Sequence, residues 1–344
     1  MQSDPTKKVL VVFTGGTIGS TLSDGIINVS DAATFKLLEL FEKNYKNHKQ
    51  ITFTPIRPIE ILSENLAPCV WNILISSIES ENPDKYDGII ITHGTDTLAY
   101  TAAALSFYYN AIKIPILLVS SDYPLNDLKS NGVDNFICAV DFILQNVQSG
   151  VFVPYRNQQQ VSQVHSGARL ACSLQLTGNF FSVQDKSYMR FENHKFIPSQ
   201  HNKMKDIIVT DYSLKASFSE RILMIKPYPG LNYSHFNIDG VVAVLHDLYH
   251  SGTACTLTTW GVDYSLPEFI KCCTSKGIKT YLAPAVKTDD AYQSTKILID
   301  QGASMIWNMS IEAAYVKLML AYGNFTNHNH INEFINKDIA GEFV

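Results

Sequence analysis

A two-domain α/β protein is predicted, and three observations predict it. Short apolar, β-branched runs alternate with longer helical patterns through the first half of the 344 residues, the alternation resumes near residue 220, and the stretch between turns polar. Continuous apolar strands between helices indicate a parallel sheet covered on both faces, because strands buried on two sides cannot alternate with polar residues. In chain order, Lys8–Phe13 (KVLVVF) reads as a buried strand ending in TGGT, and Ala32–Glu42 as an amphipathic helix. Ile51–Ile56 is the second strand, Pro68–Glu79 the second helix, and Tyr86–Thr92 (YDGIIIT) a third strand ending in HGTDT. Leu98–Tyr109 continues as a helix, Ile114–Ser120 (IPILLVS) is the fourth strand, and Asn131–Leu144 the helix after it.

The polar stretch from about 186 to 219 reads as an interdomain linker. Beyond it come strands at Arg221–Lys226, Gly240–His246 and Lys279–Ala283 and helices at Ser265–Lys276, Asp290–Gln301 and Ser310–Ala321. Ser310 opens the last of these with Glu312 in its first turn, an N-terminal signature. A final helix covers Asn329–Ile339. The expected organisation is thus a larger N-terminal parallel-sheet, Rossmann-like domain (1–190), a linker (191–219) and a smaller C-terminal α/β domain (220–344).

Composition narrows the function classes. Formal net charge is −5 and no Lys/Arg cluster stands out, which argues against a nucleic-acid partner. The histidine-rich stretches NHKFIPSQHN and TNHNHIN lack ligand spacing on a helical or strand face, so no metal is expected. Six cysteines, at 69, 138, 172, 255, 272 and 273, form no CxxC pair and mostly lie in apolar runs, as reduced buried thiols do in a cytoplasmic protein. No signal peptide or membrane-length apolar run is visible, so the expected compartment is the cytoplasm, without a membrane partner.

In open α/β sheets ligands bind beyond the carboxyl ends of the strands, which directs attention to two turns. In FTGGTIGS, paired glycines let the backbone turn sharply and leave N–H groups facing a ligand, with Thr14 and Thr17 on either side. The same residues serve equally well as a strand–helix junction with capping threonines. In ITHGTDTLAYTAA, Asp96 stands between Thr95 and Thr97 at the mouth of a helix. It either caps that helix or, with Thr95, orients a water or receives an ammonium group.

TGGTIG followed some eighty residues later by THGTDTLAYTAAAL resembles the asparaginase/glutaminase family, in its cytoplasmic type I branch. ILSENLAPCVW (Ile61–Trp71) resembles that family's substrate-binding loop, SSDYPLNDLKSNGVDN (Ser120–Asn135) the segment after its fourth strand, and MSIEAAYVKLMLAYGN (Met309–Asn324) its C-terminal helix. The resemblance implies hydrolysis of L-asparagine to L-aspartate and ammonia without a cofactor, through a threonine nucleophile, Thr14, and an acyl-enzyme. It implies Gly15 and Thr17 in the oxyanion and substrate turn, Thr95 positioning water, Asp96 and Glu64 receiving the α-ammonium, and Ser63 the α-carboxylate. It also implies a homodimer or homotetramer.

Three departures accompany it. The family's lysine after HGTDT has no counterpart between Leu170 and Gln184, and Cys172 falls where it would stand. Ile26 occupies the place of a loop tyrosine, which Tyr292 from the C-terminal region could replace if it is not simply a helix surface residue. Thr253 replaces an asparagine in YHSGTACT. These departures support a second expectation, an amino-acid-binding pseudo-enzyme of the same fold, or a hydrolase shifted towards glutamine or another amide. A third, the archaeal transamidation subunit that serves glutaminyl-tRNA synthesis, is set behind them, because the chain starts at its first strand and is acidic.

Overall fold

The residues expected to be most buried form the centre of the first sheet. In the computed structural model, which describes residues 6–199 except 17, 19, 24, 25 and 30, and 212–344 except 289 and 291, β1 (Lys7–Phe13) has Val9 to Val12 fully buried. A short antiparallel hairpin follows, β2 (Ser20–Ser23) and β3 (Ile26–Val29), then α1 (Asp31–Asn44). Next come β4 (Ile51–Ile56), α2 (Pro68–Ser80), β5 (Gly88–Thr92), α3 (Leu98–Tyr108), β6 (Pro115–Val119) and α4 (Gly132–Leu144). The unit is completed by β7 (Gly150–Tyr155), β8 (Ser162–Ser166), β9 (Met189–Glu192) and β10 (Lys195–Pro198).

These strands form an eight-stranded sheet in the order β10-β9-β8-β7-β6-β5-β1-β4. The run β4-β1-β5-β6-β7 is parallel and β8, β9 and β10 add antiparallel. The chain goes from β1 outward to β4, then returns past β1 to β5. The strand order therefore reverses between β1 and β5, and that reversal opens a crevice at their carboxyl ends. Helix α3 (LAYTAAALSFY) carries apolar or small residues around almost its whole circumference and is buried from Leu98 to Phe107 except at Tyr100, as a helix without a polar face must be.

The antiparallel extension corrects the first part of the expected linker, whose residues 200–211 lie outside the described ones. Residues 189–198 are a hairpin in the sheet, and its turn residues Asn193 and His194 have φ of 49° and 58°, the left-handed pair that a two-residue hairpin turn requires. Edge strands with one solvated face carry charges such as Glu192 and Lys195, so the segment looks polar and loop-like in sequence. The His194 ring contacts the buried Asp141 of α4 at 2.6 Å, and Tyr45 donates to the other oxygen of the same carboxylate, which ties the hairpin to the helical layer.

Met1–Ala216 with Ile339–Gly341 make one compact unit, and Ser217–Asp338 with Glu342–Val344 the other. The second unit holds β11 (Ile222–Ile225), β12 (Ala243–Asp247), α5 (Leu266–Ser275), β13 (Lys279–Ala285), α6 (Gln293–Asp300), β14 (Ser304–Trp307), α7 (Ile311–Asn324) and α8 (His328–Asn336). Its sheet is wholly parallel in simple order, β11-β12-β13-β14. Val244, Leu266, Ile270, Leu282 and Leu298 are fully buried in its core. Ser310 caps α7 by accepting from Ala313 N at 3.0 Å, as its sequence signature indicates. The two-domain α/β expectation holds.

The cysteine expectation is corrected in part. Among the described residues no disulfide joins the six cysteines, yet only Cys138 and Cys273 are buried, while Cys69, Cys255 and Cys272 are exposed at helix and loop surfaces.

Two buried imidazoles give stability a pH dependence. His165 of β8 shares a 2.8 Å hydrogen bond with Ser182 Oγ, and His246 of β12 one of 2.8 Å with Tyr233 Oη. Burial pulls the pKa of each down to about 4. Unfolding releases both rings to titrate near 6.5, so between these values the unfolded chain binds more protons than the fold. Stability therefore falls as pH drops from about 6.5 to 4, by on the order of 3 kcal/mol per ring, with no further loss from these groups below that window. Urea unfolding at pH 7 and pH 4.5 should show the loss, and His165→Gln should flatten it; equal pH slopes for the two proteins would refute this origin.

Candidate functional site

Thr14 sits immediately after β1, and register fixes its surroundings. Phe13 pairs with Thr92 at the carboxyl ends of β1 and β5, so Thr14 emerges at the point where the strand order reverses. Its hydroxyl donates to the Thr92 carbonyl at 2.6 Å, and its amide donates to Thr92 Oγ1 at 3.3 Å. Its own carbonyl accepts from Ile61 N at 2.9 Å. With 4% of its surface exposed, Thr14 is a buried hydroxyl held from three sides.

The glycine turn follows, with φ of 102° at Gly15 and 77° at Gly16. A Cβ on Gly16 would lie 2.4 Å from Gly94 N, and one on Gly94 would lie 2.4 Å from Ser63 Oγ. The two turns thus approach backbone to backbone, a distance that only glycine permits. Thr17, also expected here, lies outside the described residues, as does the side chain of Ile26 on β3.

Ser63 comes from the segment after β4 and bridges the second turn. Its hydroxyl donates to Asp96 Oδ2 at 2.8 Å and accepts from Asp96 N at 3.2 Å, while Thr97 Oγ1 donates to the Ser63 carbonyl at 2.9 Å. The Asp96 carboxylate is not the helix cap: Thr97 is the N-cap residue of α3, and Asp96 is an exposed anion held by Ser63. Thr95 is half-buried, its carbonyl accepting from Leu98 N at 3.4 Å at the start of α3. Glu64 is exposed next to Ser63. His93 is buried, its Nδ1 2.7 Å from the Gly94 carbonyl, and burial lowers its pKa, so it stays neutral.

Three neighbouring strands, β4, β1 and β5, therefore deliver Ser63 and Glu64, Thr14 and Gly15, and Thr95 and Asp96 to one end of the sheet. The arrangement joins a hydroxyl nucleophile candidate, a turn of backbone amides and a solvent-facing carboxylate. Sequence reasoning missed Thr92 and Thr97. Thr92 acts largely through its carbonyl, which no side-chain pattern advertises; Thr97 sits inside the motif but bonds to a residue 34 positions away.

The remaining sequence candidates belong to other elements. Tyr292 belongs to the second unit, where it is the N-cap residue of α6 and 63% exposed. Thr253 Oγ1 lies 2.9 Å from Ser251 Oγ in the same unit. Cys172 is half-buried beyond β8, next to Ala171, whose amide donates to the Phe181 carbonyl at 3.0 Å. Among the described residues no His/Cys/Asp/Glu group is arranged to hold a metal ion.

Known proteins resemble this chain in sequence and in fold. The asparaginase N-terminal family model matches residues 8–200. A glutamyl-tRNA(Gln) amidotransferase component from Methanosphaera stadtmanae is 27% identical over 358 residues, spanning 99% of this chain and 77% of that protein. The thermostable L-asparaginase of Thermococcus kodakarensis superposes with a TM-score of 0.79 at 22% identity, covering 98% of this chain and 99% of that one. L-asparaginase I of Vibrio cholerae O1 biovar eltor gives 0.78 at 23% identity, with 98% and 99% covered.

Proposed function

This chain belongs to the asparaginase family, and from that premise we propose that it hydrolyses the side-chain amide of L-asparagine to L-aspartate and ammonia, with Thr14 as nucleophile. The observation that carries this reading is the buried Thr14 hydroxyl set beside the Gly15–Gly16 turn at the reversal of strand order. Thr14 Oγ attacks the amide carbon, and backbone N–H groups of the turn take the negative charge of the tetrahedral oxygen. Collapse breaks the C–N bond. The nitrogen leaves as ammonia with the proton that Thr14 gives up, and a Thr14 ester remains. A water positioned by Thr95 cleaves the ester, releasing aspartate and restoring the hydroxyl. Asp96 receives the α-ammonium, with Glu64 beside it, and Ser63 holds the Asp96 carboxylate towards the substrate. The reading includes a homodimer or homotetramer, acting on a free amino acid without a cofactor. Among the described residues no helix is long and apolar enough to cross a membrane.

The test is ammonia release from millimolar L-asparagine, with L-glutamine in parallel. Release that favours asparagine supports the reading. No release, with asparagine or aspartate still raising the melting temperature, replaces it with an amino-acid-binding pseudo-enzyme, as the cysteine at 172 would allow. One observation favours a second reading, an amide-hydrolysing component of a transamidation complex: amidotransferase relatives match 98–99% of this chain. Ammonia release that starts only when a partner protein is added would select it.

Ser63→Ala should lower kcat/KM about 10- to 100-fold, since a hydrogen bond to a charged group contributes about 1.5–3 kcal/mol and Asp96 would lose its anchor. Steady-state kinetics at equal melting temperature check this; an unchanged kcat/KM removes Ser63 from the site.

A further inference from the structure

His93 directly follows β5, is buried, and takes no part in the amide hydrolysis proposed above. Its own amide is fixed to β6 by a 2.9 Å hydrogen bond to the Val119 carbonyl. Three residues on, the Asp96 amide is fixed by donation to Ser63 Oγ at 3.2 Å. Between these anchors, the peptide joining Gly94 to Thr95 is held through its carbonyl, 2.7 Å from His93 Nδ1. A carbonyl only accepts, so the ring carries its proton on Nδ1 and donates. The N–H of Thr95, on the opposite edge of the same peptide, donates to no protein group among the described residues.

A trans peptide points its C=O and N–H in opposite directions, so a group that holds one sets the other. Gly94 has no side chain to restrict rotation of this peptide, and it can have none, because a Cβ there would lie 2.4 Å from Ser63 Oγ. The orientation therefore depends on the imidazole. With the peptide turned over, the Gly94 carbonyl would point where the Thr95 N–H now points, and a ligand oxygen would meet a like dipole in place of a donor. We infer that His93 is a positioning residue: through the Gly94 carbonyl it holds the Gly94–Thr95 peptide in one orientation and keeps the Thr95 N–H available to the side-chain oxygen of an amino acid beside Thr14. The inference rests on the reading of the Thr14 constellation as the amino-acid site.

The experiment compares His93→Leu, which has no donor, with His93→Asn, whose Nδ2 stands where the ring has Nδ1. Ammonia release from L-asparagine and calorimetric titration with L-aspartate are measured on the full chain, below the melting transition of every variant. His93→Leu should lower kcat about 10- to 100-fold and weaken aspartate binding about threefold or more. His93→Asn should keep both within about threefold of wild type, since its donor can reach the same carbonyl. His93→Gln, with its amide one bond further out, should follow His93→Leu and takes its place if the apolar variant does not fold. If the wild type releases no ammonia but aspartate affinity follows this order, the amidase reading falls and the positioning role stands. Wild-type kcat and affinity in folded His93→Leu overturn the inference with the amidase reading intact. So does His93→Asn as impaired as His93→Leu at equal melting temperature, which would leave the ring a packing role alone.

Discussion

Thr14→Ala should lower ammonia release from asparagine by about three orders of magnitude or more, while the protein stays folded. The substitution removes the hydroxyl proposed to form the ester and leaves the glycine turn, Ser63, Thr95 and Asp96 in place. Its structural cost is modest: one hydrogen bond to the Thr92 carbonyl and a methyl group at a buried position, together about 1–3 kcal/mol. Thr14→Ser keeps the hydroxyl and should retain a measurable rate. Aspartate should still raise the melting temperature of Thr14→Ala, because the binding groups are untouched. Wild-type turnover by Thr14→Ala would sink the threonine mechanism outright, whereas a dead Thr14→Ser alongside a dead Thr14→Ala would point to geometry and not to nucleophilicity.

The largest stability effect is expected in the second unit, at a buried ion pair. Lys317 lies on α7 with its ammonium fully buried. It donates to Glu342 and to the Lys337 carbonyl, between the rings of Phe334 and Phe343 at 5.6 and 5.0 Å. Burial depresses its pKa, and Glu342 works against that depression by favouring the charged form. Lys317→Met keeps the length of the chain but strands a carboxylate in the interior. The unit should lose about 3–5 kcal/mol, on the order of 10 °C in its melting transition. Lys317→Met/Glu342→Leu should recover most of the loss, since an apolar pair of similar volume replaces the ion pair with little net change. Calorimetry of the three proteins tests this. A double variant as unstable as the single one means that the aromatic contacts, not the charge pairing, hold the C-terminus.

Lys317 also marks where sequence reading stops. MSIEAAYVKLMLAYGN looks like a helix whose charged residues face solvent, yet both Glu312 and Lys317 are buried. The partner of Lys317, Glu342, is 25 positions away, and burial that depends on such a partner leaves no local period to detect. The central strands were legible for the opposite reason: β1, β5 and β6 are covered on both faces and appear as unbroken apolar runs. The antiparallel extension from β8 to β10 was not, since SQVHS and MRFE mix polar and apolar residues at a partly solvated edge. β14 is four residues long and too short for periodicity. At the site, Thr14, Thr95 and Asp96 were legible from their place after strands, while the Ser63 bridge to Asp96 spans 33 positions and emerges only in three dimensions. Charge and the position of the first strand set the transamidation reading aside, yet amidotransferases supply relatives across nearly the whole chain. Charge speaks to partners and not to descent.

The strand order β4-β1-β5 has a consequence for how the protein comes into being. Each of the two pairings that flank β1 joins segments separated by more than forty residues and is parallel, so neither can form by a local hairpin. Loop closure must precede any reward from these contacts, which makes them slow and late relative to helix formation. The threonine, the serine and the aspartate therefore meet only after β4 and β5 have both docked on β1. On the ribosome, a nascent chain that has not yet exposed β5 can hold Thr14 but not the company it needs. Catalytic competence in this chain would arrive as a late event of folding, and regain of activity after dilution from denaturant would time the closure of the central sheet.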